Sequence, residues 1–170
     1  MPELPHVTAI LARAGLIETA WFTEEARDRG SALHAATHYL DEGDLDWSTV
    51  DPSVLPRLRQ YQHFLDEVKP EILSIEEPVV NEIFLYQGRL DRCVRIGGRE
   101  GVLDIKGPYQ AAWQAVQVAM YARCFDRPLC RWTLHLSDER YQLIEHKERG
   151  DWSVALAAIT IAAWREKHGC

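Results

Sequence analysis

Two successive glycines, Gly97-Gly98, separate two segments of alternating character, Gly88–Ile96 and Gly101–Lys106. A glycine pair between alternating segments is a hairpin signal, because a tight two-residue turn needs positive φ at both central positions. With these two residues as the turn, paired positions have numbers that add to 195, and Asp91 faces Asp104. Opposed residues have Cβ atoms about 4.5–5.5 Å apart, and like charges placed so are destabilising. A stable fold then needs a compensating cation, and two carboxylates at that spacing suit a hard divalent ion such as Mg²⁺. Lys106 faces the same side, roughly 7 Å further along its strand, while Ile105 faces away with Leu90 and Leu103. A lysine beside a metal-bound carboxylate can orient or deprotonate a water and steady developing negative charge. A surface hairpin of mixed charge is the alternative reading of the same register.

The chain around the hairpin is mixed. Helical spacing marks residues 4–14, a second helix opened by Thr23-Glu24-Glu25 and running to about Leu40, and a third over Leu58–Val68 that stops at Pro70. Gly30 lies inside the second helix, and the acidic stretch from Asp41 to Pro56 reads as a loop. Glu71–Leu85 reads as extended chain broken near Pro78, then comes the hairpin, then a helix over about Tyr109–Phe125. Leu129–Leu136 and Tyr141–His146 are expected strands, joined by a turn at Ser137-Asp138-Glu139, and Asp151–His168 is an apolar closing helix. This order predicts an α+β layer fold in a single domain over residues 1–170: a helical part (1–70), a sheet-containing core (71–150) and a C-terminal helix (151–170).

Composition limits the function classes. The longest apolar run, Val154 to Trp164, is eleven residues, about half of a membrane span. No cationic stretch precedes an apolar one near Met1, so the expected location is the cytoplasm, with no membrane partner. Cys93, Cys124, Cys130 and Cys170 show no CxxC spacing and are expected to be reduced thiols. The net charge of −7 is divided unevenly: residues 1–87 hold 6 basic and 16 acidic groups, residues 88–170 hold 13 and 10. The second half carries Arg89, Arg92, Arg95, Arg99, Arg123, Arg127 and Arg131. Guanidinium groups suit phosphate recognition, so a polyanion partner is permitted.

Gly88-Arg-Leu-Asp91, Val102-Leu-Asp-Ile-Lys106 and Gln117-Val-Ala-Met-Tyr121, preceded by Gly30-Ser-Ala-Leu-His34, together resemble the PD-(D/E)XK nuclease superfamily. The RecB-type and phage exonuclease branches are the nearer likeness. The resemblance spans residues 30 to 121. It implies a restriction-endonuclease-like core, a mixed sheet with a central antiparallel hairpin flanked by helices. It implies His34, Asp91, Asp104 and the Ile105 carbonyl as metal ligands, with Mg²⁺ or Mn²⁺ as cofactor. Asp91, Asp104 and Lys106 would be the catalytic set. Gln117 and Tyr121 would lie near the substrate, and Glu77 is a further acidic candidate on the preceding strand. Gly107-Pro108 stands where the family often has Thr or Ser after the lysine, and no cysteine precedes Cys93 to serve the iron–sulfur cluster of some RecB-type relatives.

The activity so implied is metal-dependent hydrolysis of DNA phosphodiesters. With no specificity module evident, an exonuclease on linear DNA is favoured over a site-specific endonuclease, in recombination, repair or phage replication. DNA is the expected partner. Family habit adds a single-strand annealing protein or helicase, and self-association into a homo-oligomer that grips DNA. The alternative is a non-catalytic DNA-binding or protein-interaction domain that keeps the fold.

Overall fold

The computed structural model describes residues 3–17 and 23–169. Helices α1 (Val7–Arg13), α2 (Glu24–Glu42) and α3 (Leu55–Val68) precede strands β1 (Glu71–Asn81), β2 (Tyr86–Ile96) and β3 (Arg99–Lys106). Helix α4 (Trp113–Ala122) follows, then β4 (Cys130–Leu136), β5 (Tyr141–Glu145) and α5 (Gly150–His168). The strands form one five-stranded sheet in the order β1-β2-β3-β4-β5. Only β3 and β4 run parallel; the other neighbours are antiparallel. A parallel pair needs a crossover, and α4 supplies it.

Two apolar clusters make this a three-layer α+β fold. On one face, Val7, Ile10 and Leu11 of α1, Val116 and Met120 of α4, and Ala155, Ala158 and Ala162 of α5 pack with Tyr86, Leu90, Cys93 and Val102. On the other, Leu33 of α2 and Tyr61 and Phe64 of α3 pack with Val94, Leu103, Ile105, Trp132, Leu134 and Leu136.

Local chemistry explains most element ends. The Thr23 hydroxyl accepts the Ala26 N–H at 3.2 Å and opens α2, which continues two residues past Leu40 before Gly43 closes it in the left-handed region (φ 73°). Gly97 and Gly98 have φ of 56° and 79°, and the hairpin register is the expected one from Ile96–Arg99 back to Arg92–Leu103. Helix α3 starts earlier than expected, at Leu55, with Pro56 in its first turn where a missing N–H is harmless. Strand β1 runs unbroken through Pro78, which pairs with Arg89. It tolerates proline because β1 is the sheet edge. Helix α4 is shorter than expected: residues before Trp113 form a loop tied by Gln114, whose amide accepts the Ala111 N–H and donates to the Tyr109 carbonyl.

Alternation along β2 changes phase. Tyr86 and Leu90 share a cluster with Cys93, whereas Val94 belongs to the opposite one with Leu103 and Ile105. Leu90 therefore packs on the face away from Leu103 and Ile105, contrary to the simple pleat. The phase slips at Asp91 and Arg92, and the flanking pairs Ile75–Arg92 and Glu77–Leu90 set Glu76 opposite Asp91. Glu76 has φ 51°, a left-handed conformation rare for its residue type. Irregular backbone of this kind re-aims side chains. No helix of the described residues is long and apolar enough to cross a membrane.

Candidate metal centre

The β2–β3 ladder ends at Arg92–Leu103, one position short of Asp91 and Asp104. There the Ile105 N–H donates instead to Asp91 Oδ2 at 2.6 Å. Asp91 Oδ1 lies 3.4 Å from His34 Nδ1 on α2. His34, Glu76 and Asp91 each offer a ligand atom, and these atoms lie within 4.8 Å of one another. They line an open groove with Ser31, Ala35 and His38. His38, one turn after His34, has Nε2 3.2 Å from Glu42 Oε1.

Asp104 is buried, and Lys106 Nζ stands 2.6 Å from its Oδ2. The approach is an ion pair without hydrogen-bond alignment, and Asp104 Oδ2 has no hydrogen-bond partner. Burial and the neighbouring Asp104 charge push the Asp91 carboxyl up to about 6, against the opposing pull of His34, Lys106 and the Ile105 amide. The site thus holds two neighbouring carboxylates: Asp91, whose proton is held more tightly by burial and by the Asp104 charge, and Asp104, paired with Lys106. That is the condition a divalent cation relieves.

Lys106 is held from the α4 side. Its ammonium donates to Gln117 Oε1 at 2.8 Å and lies 5.1 Å from the Trp113 ring centre. Gln117 Nε2 in turn donates to the Tyr121 hydroxyl at 3.2 Å. Gln117 and Tyr121 are both buried, so in this structure the pair braces Lys106. Tyr121 explains Gly88: a Cβ there would sit 2.6 Å from the Tyr121 ring. Only glycine lets the ring lie against β2.

The structure brings His34 to Asp91 and links Asp104, Lys106, Gln117 and Tyr121 in a second chain of contacts, joined to Asp91 through the Ile105 N–H; Asp104 is not among the three residues whose ligand atoms cluster. Glu77 is a correction. It pairs with Leu90 and accepts from Ser74 Oγ, while the adjacent Glu76 joins His34 and Asp91. Glu76 has its backbone in the left-handed region.

Arg92 is a second correction. It is fully buried and cannot face a polyanion. Its Nε bonds Asp41 Oδ2 at 2.5 Å, Nη1 donates to the Asp91 carbonyl at 2.6 Å, and Nη2 reaches Thr37 Oγ1 at 3.3 Å. Asp41 also accepts from the Tyr61 hydroxyl at 2.7 Å. Nη1 lies 3.8 Å from Glu76 as well. Arg92 therefore braces the segment that carries Asp91 and lies beside Glu76. Arg95 pairs with Glu71 and Glu100, and Arg99 with Glu145. Much of the cationic second half is consumed by intrachain pairs.

No protein-family model and no curated protein matches the chain. Sixteen chains of solved structures match it. One, described as the crystal structure of SSO0001, aligns over 96% of this chain and 77% of its own at 13% identity, with a TM-score of 0.48. A likeness at that level carries no functional argument.

Proposed function

We propose that this protein is a divalent-metal-dependent nuclease that hydrolyses DNA phosphodiester bonds, acting as an exonuclease on linear DNA. The reading includes a restriction-endonuclease-like core. It is favoured by an interior hairpin bearing both carboxylates and a crossover helix that follows the lysine and holds it through Gln117.

The observation that carries it is the buried Asp104 carboxylate paired with Lys106 at 2.6 Å, beside the raised carboxyl of Asp91, which in turn clusters with His34 and Glu76. The donor set of imidazole and carboxylate fits a divalent ion, and the imidazole favours Mn²⁺ over Mg²⁺. His34, Asp91 and Asp104 would hold it, with the Ile105 carbonyl and with Glu76 added. Such an ion, when bound, supplies charge to polarise a phosphate and to acidify a water. Asp91 and Asp104 fix the geometry, Asp91 through the Ile105 amide. Lys106 orients the attacking water or steadies charge on a phosphate oxygen. Gln117 keeps the ammonium aimed, and Tyr121 keeps Gln117 aimed.

Release of end label from linear duplex DNA, with Mn²⁺ or with EDTA, tests this. Metal-dependent loss is expected, absent on closed circular DNA and abolished in Asp104→Asn and Lys106→Ala. Cutting of the circle would make the enzyme an endonuclease. DNA binding without any cleavage would overturn the catalytic reading in favour of a non-catalytic binding domain.

A further inference from the structure

The arginines not spent in bracing the sheet converge elsewhere. A cleft of about 610 Å³ between the end of α4, the chain leading to β4 and the start of α5 is lined by four arginines, Arg123, Arg127, Arg131 and Arg149, against two acidic residues, Asp126 and Glu148, with Phe125 and Trp152 among its walls. It is separate from the metal centre. Gln117 reaches Lys106 from one side of α4, whereas Ala119 and Ala122 on that helix line the cleft.

The four guanidinium groups are unequally committed. Arg131 is fixed by Asp151 at 2.8 Å and by the Glu148 carbonyl at 2.9 Å. Arg127 pairs with Glu100 at 3.2 Å but stays half exposed. Arg123 has no ion pair among the described residues and lies 5.1 Å from the Trp152 ring centre. Arg149 is exposed and likewise has no ion pair among the described residues. It also occupies the N-cap of α5 without a side-chain cap, so the first-turn amides of that helix add to the positive field. Trp152 is held edge-on against Phe84 at 5.3 Å.

We propose that this cleft binds a nucleotide unit: a phosphate ester carried on a sugar with an aromatic base. Planar guanidinium forks match phosphate oxygens two at a time. Arg123 lies over the Trp152 ring at 5.1 Å and Arg127 over the Phe125 ring at 5.4 Å, so the aromatic rings are covered and the outer guanidinium planes are the faces on which a base can stack. The volume lies in the range of small-molecule sites. Arg123 and Arg149 are the phosphate contacts, because their charge is not already neutralised. Arg131 shapes the floor. The unit is supplied either by a free mononucleotide or by a residue within a single strand, and both share this chemistry.

Calorimetric titration in EDTA, which silences metal-dependent cleavage, tests the proposal. The probes are 5′-dAMP, inorganic phosphate and a short oligo-dA strand. The proteins are wild type, Arg149→Glu, and the double variant Arg123→Ala/Arg149→Ala. Both side chains are exposed, and circular dichroism confirms that the variants keep the fold. Wild type is expected to bind dAMP or the strand, with at least a tenfold loss in both variants. Binding of dAMP identifies the free nucleotide as a source; binding of the strand alone identifies the polymer. Absence of binding by wild type, equal binding by the variants, or phosphate binding as tightly as dAMP would overturn the proposal.

Discussion

Asp91 Oδ2 accepts the main-chain N–H of Ile105 at 2.6 Å. A side chain thereby takes the rung that the β2–β3 ladder leaves unmade beyond Arg92–Leu103. The same carboxylate has its other oxygen near His34. One residue thus closes the sheet and opens the site.

That double role separates two substitutions. Asp91→Ala removes the charge but leaves a buried amide without an acceptor, so it should be about 1–3 kcal/mol less stable than Asp91→Asn in the metal-free protein. Asp91→Asn keeps an acceptor oxygen and removes the repulsion with Asp104, so its melting temperature without metal should equal or exceed that of wild type at pH 7.5. Thermal unfolding in EDTA reads both. Equal losses in the two variants would refute the assigned role of the bond.

The Asp91 carboxyl gives stability a pH dependence with a definite sign. Its value in the folded chain is raised from 3.8 to about 6. The folded state therefore holds this proton more tightly than the unfolded state, and the metal-free protein loses stability as pH rises across that window. A cation needs the ionised form, so Mn²⁺ should raise the melting temperature strongly at pH 7.5 and little at pH 5. Melting curves with Mn²⁺ and with EDTA at both values check this; the same gain at both would contradict it.

Arg92 and Asp41 form a buried pair, with side chains 0% and 1% exposed. Removing one partner strands a charge, and Arg92→Ala should cost about 3–5 kcal/mol. The proposed nuclease activity should fall further than unfolding explains, because Arg92 also holds the Asp91 carbonyl and flanks Glu76. Activity measured at a temperature where the variant is fully folded would show it.

Gly88→Ala puts a methyl group 2.6 Å from the Tyr121 ring. Overpacking of this kind costs about 1–3 kcal/mol. The displaced Tyr121 should release Gln117 and loosen Lys106, lowering kcat more than it raises KM. Tyr121→Phe, which keeps the ring but loses the hydroxyl, should show a smaller effect. If Gly88→Ala kept full kcat, the chain from Tyr121 to Lys106 would not matter.

The hairpin was legible because two glycines fix its turn and its register is counted from them. The places of Asp104 and Lys106 are counted from that register, whereas His34, Gln117 and Tyr121 follow only from the resemblance to the PD-(D/E)XK superfamily. Glu76 was not legible: it depends on one residue with positive φ and a phase slip in β2, neither of which leaves a pattern in residue types. Arg92 was misread for a related reason. Its charge suggested a solvated surface, yet Asp41, Thr37 and Tyr61, distant in sequence, satisfy it in the interior. Pro78 suggested a break because edge position, which makes proline harmless, is a property of the whole sheet.

Mn²⁺ binding followed by electron paramagnetic resonance tests the metal centre most directly. Wild type, Asp91→Asn, Glu76→Gln and Glu77→Gln would be titrated side by side at pH 7.5. The predicted result is saturable binding by wild type and Glu77→Gln, at least tenfold weakened in Glu76→Gln and lost in Asp91→Asn. Free Mn²⁺ signal unchanged by wild-type protein, or binding indifferent to Asp91→Asn, would contradict the account.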